Sequence, residues 1–146
     1  MATPPPPQSA NFRNMPASHP TVLLRHDLPD GSHHFDWMLA RDDDGPLLTF
    51  RLDRDISQDG KPFEGELLPD HRRAYLEYEG PLSGNRGSVA RVAQGRCEVR
   101  HEGAERVLIW LELGTRAGEL GGIHQGEGRF LFGAPENGLR ISQDFG

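Results

Sequence analysis

"HHFDWMLARDDDGPLLTFRL", residues 33–52, reads as a strand, a tight turn and a returning strand. In "HHFDWML" side chains alternate, so His33, Phe35, Trp37 and Leu39 share one face while His34, Asp36 and Met38 share the other. The first set is a core face. "DDDGP" is a strong hairpin signal, and "LLTFRL" (47–52) answers the first strand.

The same grammar continues outward. "TVLLRH" (21–26) precedes the turn "DLPDGS", and "RAYLEYEG" (73–80), "GSVARVAQG" (87–95), "RCEVRHEG" (96–103), "RVLIWLEL" (106–113) and "GRFLFG" (128–133) read as further strands. No window of twelve residues carries a helical period, and at most one short helical turn is expected near Asp70. So many short strands in one small domain must manage their edges. The expectation is all-β: a small closed or nearly closed antiparallel β-barrel.

With 146 residues the chain holds one core of modest size, read as a single barrel domain over 21–146. Residues 1–20, "MATPPPPQSANFRNMPASHP", read as a disordered Pro-rich arm with no apolar core of a secretory signal. Nothing approaches the ~18 apolar residues of a membrane helix. The net charge of −6 argues against diffuse electrostatic binding to nucleic acid but leaves room for a local basic site. Lys61 stands against fifteen arginines, which fits a GC-rich coding bias. Cys97 is the single cysteine, so an internal disulfide and a cysteine zinc site are excluded, and a reducing, cytoplasmic setting is expected. It reads as a buried structural residue, and Trp37 and Trp110 as core aromatics. "GPLSGNRG" lacks the pattern of a phosphate cradle and reads as a turn.

Chemistry concentrates at His34 and Asp36. Residues two apart on a strand lie about 7 Å apart and can converge on one divalent ion if a neighbouring strand supplies a third ligand. Imidazole with carboxylate suits manganese, iron or zinc. His26 ends the preceding strand, where "DLPDG" brings it back beside His34; His71, in "LPDHRRAY", is a second possible partner from across the barrel. His19 falls in the arm, His101 in a hairpin turn and His124 in a Gly-rich loop. A His-x-Asp strand is also compatible with an ordinary solvated face, and spacing alone leaves both readings open.

"RHDLPDGSHHFDWMLARDDDGPLLTFRL" followed by "LPDHRRAYLEYEGPLSGNRGSVARVAQGRCEV" resembles the 3'-phosphoesterase domain of bacterial DNA ligase D. His26 and His34 match that family's two early histidines, Asp36 its metal-binding aspartate, and Phe35 the tyrosine before it. "DDDGPLLTF" matches its acidic-Gly turn and returning strand, and Asp70, His71, Tyr75 and "YEG" (78–80) match its Asp-His, tyrosine and Phe-Glu-Gly block in register. The likeness spans about residues 22–133. It implies a stand-alone, divergent member that binds manganese, with zinc or ferrous iron as alternatives. The implied metal ligands are His26, His34 and Asp36, meeting inside the mouth of the barrel. It further implies His71 and Tyr75 at the phosphate, with His71 able to protonate the leaving 3'-oxygen. The implied activity is removal of 3'-phosphates and 3'-ribonucleosides from DNA ends in repair, by a monomer acting on DNA ends or other phosphate esters and working with or without repair proteins.

The departures bear on activity. The family's arginine two residues after the aspartate is Met38, its glutamate is Ala40, and an acidic residue is Pro69. A further arginine before the Asp-His block has no counterpart. Each lost guanidinium is worth roughly 2–4 kcal/mol of transition-state stabilisation in a shielded site. Arg51, Arg54, Arg72 and Arg73 are the candidate substitutes, Arg54 being favoured. Two rivals follow: a non-catalytic metal-binding or docking module for DNA ends or a repair protein, and a non-haem iron oxygenase built on His34, Asp36 and His101.

Overall fold

The computed structural model describes residues 18–134. They form strands β1 (His19–Asp27), β2 (His33–Ala40), β3 (Leu47–Leu52), β4 (Phe63–His71), β5 (Gly80–Pro81), β6 (Ser88–Glu102), β7 (Arg106–Leu113), β8 (Arg116–Gly126) and β9 (Arg129–Gly133). The sheet runs β1-β2-β3-β4-β9-β8-β7-β6-β5, and β1 also pairs with β6. That last pairing closes eight antiparallel strands into a barrel, with β5 appended outside the ring. Closure removes the exposed edges that short strands would otherwise present. Among the described residues no helix is long and apolar enough to cross a membrane.

The barrel interior is an aromatic and aliphatic core. Leu23, Phe35, Trp37, Leu39, Phe50, Ile109, Leu111 and Phe132 are among its buried members. Trp37 packs edge-on against Phe63 and Phe132 and tilted against Phe50, with ring centroids 5.5–5.7 Å apart. Its indole N–H donates to Thr21 Oγ1 at 3.1 Å, and that hydroxyl donates to the Met38 carbonyl at 2.7 Å, so the buried polar atoms are satisfied. Cys97 is enclosed here as expected, and burial pushes its thiol pKa up to about 12.

A second, smaller apolar cluster lies on the outer wall. Val22, Leu24, Met38, Ala40, Leu47 and Val89 form it, covered by Tyr75, Leu76 and Leu82. These residues alternate along β1 and β2 with the interior set, so the two strands bury both faces. This is why Val22–Leu24 and Asp36–Ala40 show no simple in-out pattern of exposure.

Several expected boundaries shift. His19 and Pro20 belong to β1, and His19 is buried opposite Cys97 rather than lying in an arm; residues 1–17 and 135–146 fall outside the described residues. Residues 73–76 form a short 3₁₀ helix, not a strand, and the preceding strand is β4. β4 was hard to see because only Phe63 and Gly65 face inward, while Glu64 and Glu66 face water. Its Pro69 sits where the β3–β4 register slips, so no ladder hydrogen bond is lost. The runs 87–95 and 96–103 are one strand, β6, whose Gly95 pairs with Thr21 on one side and Leu113 on the other. The Gly-rich stretch with His124 is a strand too, β8. There Gly122 makes room for Phe132: a Cβ would stand 2.6 Å from the ring. Trp110 is half-buried on the outer face between the interior residues Ile109 and Leu111, and is not a core residue.

Candidate metal centre

β1 and β2 pair antiparallel with His26 directly opposite His34 and Leu24 opposite Asp36. Direct cross-strand partners share a face, as do residues two apart, so register alone gathers His26, His34 and Asp36 on one side. That side is the outer wall of the barrel, continuous with Leu24 and Met38. The expected location inside the mouth is therefore corrected: the mouth is filled by Phe35, Trp37 and their partners.

One ligand atom from each residue falls within 4.8 Å of the others. His26 Nδ1 and His34 Nε2 are 3.2 Å apart. Asp36 Oδ1 is 3.2 Å from His34 Nε2, and Oδ2 is 3.6 Å from His26 Nδ1. The Asp36 side chain is only 6% exposed and both imidazoles are mostly enclosed. Buried Asp36 Oδ1 accepts no hydrogen bond of acceptable geometry. A buried carboxylate oxygen that touches only an imidazole nitrogen, without hydrogen-bond geometry, is costly and calls for a counter-charge.

The turn before β6 fixes the first histidine. His26 Nε2 lies 2.7 Å from the Arg86 carbonyl, and a carbonyl only accepts, so Nε2 carries the proton. In the neutral ring this leaves a lone pair on Nδ1, aimed at the other two ligands. A backbone carbonyl orienting a ligand imidazole is the usual support of a metal site. The turn reaches this position through Gly87, at φ +91°, where an added Cβ would stand 1.9 Å from the Asp27 carbonyl oxygen. "GPLSGNRG" is thus a turn, as expected, and it also orients the His26 ring.

The donor set fits a divalent ion. Two nitrogens at metal–nitrogen distances of about 2.1 Å sit about 3.0–3.4 Å apart for coordination angles between 90° and tetrahedral, and the observed spacing is 3.2 Å. Burial lowers the His34 pKa, opposed by the Asp36 charge and reinforced by Arg51 and His26. The neutral imidazole, the form that ligates, is favoured.

The remaining candidates are placed differently. His71 pairs with Leu47, which pairs with Ala40. Ala40 is four residues along β2 from Asp36, about 13 Å by strand rise. His71 does not join the group of three; its Nδ1 lies 3.0 Å from the Pro69 carbonyl and its ring 5.8 Å from Tyr75. Asp70 is held by Arg41, which also grips Glu102. Arg54 is committed to Asp59 at 2.9 Å and to the carbonyls of Asp55, Lys61 and Pro62. It braces the 53–62 loop, and its guanidinium is not directed at the triad. His101 lies on β6 opposite Leu108, outside the group, so the oxygenase set of His34, Asp36 and His101 does not assemble.

Sequence reasoning missed the cleft beside His26. About 300 Å³ in volume, it is lined by Arg72, Tyr75, Tyr78, Leu82, Ser83 and Arg86 among others. Arg72 lies 5.9 Å over the Tyr75 ring, and Arg86 donates to the Ser83 carbonyl at 2.7 Å. The signal was present in "HRRAYLEYEGPLSGNR", but only the chain reversal at Gly87 carries the far end of that stretch to His26. His26, His34 and Asp36 line neither this cleft nor two larger hollows, one beside Arg116 and one beside Arg91; the cleft adjoins His26 through the Arg86 carbonyl. No family model matches the chain, and no match is found among curated proteins.

Proposed function

We propose that this chain is a divalent-metal-dependent phosphoesterase of the 3'-end-processing kind, acting on 3'-phosphate or 3'-ribonucleotide ends of DNA with weak turnover. One observation carries the reading. The three residues that the likeness to the ligase D phosphoesterase domain singled out as ligands are the three whose donor atoms converge. Buried Asp36 Oδ1, with no hydrogen bond, supports an ion there, and manganese is the first choice for two imidazoles and a carboxylate.

When bound, the ion supplies Lewis-acid charge beside the phosphoryl group. His26 and His34 would present nitrogen lone pairs to it, and Asp36 would hold it through a carboxylate oxygen. The Arg86 carbonyl keeps His26 in the ligating tautomer. The adjacent cleft, with Arg72 and Arg86 at its walls, offers a phosphodiester strand a cationic bed. Manganese-dependent release of phosphate from a 3'-phosphorylated primer tests the reading. Release no greater than from an Asp36→Ala control, at high protein and metal, defeats it.

A second reading has its own support. Met38 stands where the likeness places an arginine, and it is wholly enclosed in the outer-wall cluster covered by Tyr75. Hydrocarbon there favours a non-catalytic module that keeps the ion and docks on DNA ends or a repair protein. Metal-dependent binding of a 3'-phosphorylated end without phosphate release separates it from the first.

A further inference from the structure

β2 and β3 pair with Asp36 directly opposite Arg51, and β3 and β4 pair with Arg51 directly opposite Glu66. Direct partners in an antiparallel ladder point to the same side with Cβ atoms about 4.5–5.5 Å apart. Arg51 therefore rises from the barrel wall beside the metal ligands, on their face, one strand further on. Its side chain is exposed while Phe50 and Leu52 on either side are buried. Most arginines of the described chain are spoken for: Arg41 by Asp70 and Glu102, Arg54 and Arg116 by Asp59, Arg73 by the Gly45 carbonyl, Arg96 by Ser18. Among the described residues the Arg51 guanidinium has no hydrogen-bond or ion-pair partner, although Glu66 and Asp36 are both its register neighbours.

Resting on the metal-dependent reading above, we propose that Arg51 is the anion-holding residue of the site, gripping the non-bridging oxygens of a phosphate group brought to the ion at His26, His34 and Asp36. The chemistry suits the position. A guanidinium presents parallel N–H donors that match two phosphate oxygens, and it stays charged at every accessible pH. The exposed strand position, with no partner holding the guanidinium, leaves it free to turn toward an incoming anion. It also supplies, from β3, a cation that the buried Met38 on β2 does not.

The test uses the full chain, manganese ion and inorganic phosphate. Calorimetric titration gives Mn²⁺ affinity for the unaltered protein, Arg51→Ala, Arg51→Gln and Arg51→Lys, and then phosphate affinity for each metal-loaded form. The expected result is at least tenfold weaker phosphate binding for the Ala and Gln variants, with part recovered by Lys. Mn²⁺ affinity should be unchanged or modestly tighter, because a like charge has been removed; loss of phosphate binding with the metal still held is what a merely structural arginine would not produce. Unchanged phosphate affinity in Arg51→Ala and Arg51→Gln, with Mn²⁺ still bound, overturns the role of Arg51 and leaves the metal site standing. Failure of the unaltered chain to bind Mn²⁺ overturns the metal reading and this proposal with it.

Discussion

His26 Nδ1 and His34 Nε2 face each other across β1 and β2 at 3.2 Å, with the buried Asp36 carboxylate closing the third side. Two imidazole nitrogens and one carboxylate, held this way by register, should stabilise the fold when an ion joins them. At a metal concentration of a hundred times Kd the gain is about 2.7 kcal/mol, which for a domain of this size raises Tm by roughly 10 °C. Asp36→Asn should abolish the metal-induced rise while leaving the metal-free Tm unchanged or higher, since it removes a buried charge. Differential scanning fluorimetry with and without Mn²⁺ checks both halves.

The same site sets a pH dependence. Burial lowers the His34 pKa below the ordinary histidine value of 6.5, so in the folded protein it holds fewer protons than in the unfolded chain. Stability must then rise with pH across the window between the lowered value and about 6.5, and be lost as pH falls through it. Metal-free protein should therefore melt at lower temperature as pH drops from 7 toward 5. In His34→Asn that slope should flatten. An unchanged slope would mean that His34 is not the group responsible.

Arg54 offers a contrast between position in a motif and position in space. Its bonds to Asp59 and three loop carbonyls hold the 53–62 segment, whose Ile56 is fully buried. Arg54→Ala should lower stability by roughly 1–3 kcal/mol, the range for removing a charged hydrogen-bond partner. Mn²⁺ affinity should stay within a factor of two. Denaturant titration and calorimetry on the same sample separate the two effects.

The barrel and the His26–His34–Asp36 grouping were legible in the sequence for one reason: both depend on alternation. "HHFDWML" and "TVLLRH" carry period two, and a short turn between them forces the pairing that brings His26 to His34. What was not legible depends on residues with little hydrophobic signature. β4 and β8 are built on inward glycines, Gly65 and Gly122, against Phe132, so they read as loops. Trp110 was misplaced because "VLIWLEL" is apolar on both faces, leaving only register to decide which side it takes. The outer-wall cluster, Met38 included, needs a cover from residues 75–82 that no local pattern announces.

Gly87 ties the turn to the site. At φ +91° a side chain is strained, and an added Cβ would collide with the backbone of Asp27 and Leu28. Gly87→Ala should cost at least about 2 kcal/mol. The turn would have to move away from β1, taking the Arg86 carbonyl from His26 Nε2. Mn²⁺ affinity should fall by 10-fold or more, the scale seen when the group orienting a ligand histidine is lost. Mutating Arg86 to Ala, which keeps the carbonyl, should leave Mn²⁺ affinity unaltered.

Met38 is where the two proposed readings part. It is fully buried among Val22, Leu24 and Leu47 beneath Tyr75 and Leu76, where Leu is nearly isosteric. Met38→Leu should cost less than about 1.5 kcal/mol. Met38→Arg must either bury an unpaired guanidinium, at about 3–5 kcal/mol, or push Tyr75 aside and reach the cleft beside His26. Under the docking reading the variant loses stability and releases no phosphate from a 3'-phosphorylated primer. A Met38→Arg protein that folds and releases phosphate faster than the unaltered chain would show that hydrocarbon in this one position is what restrains a phosphoesterase site.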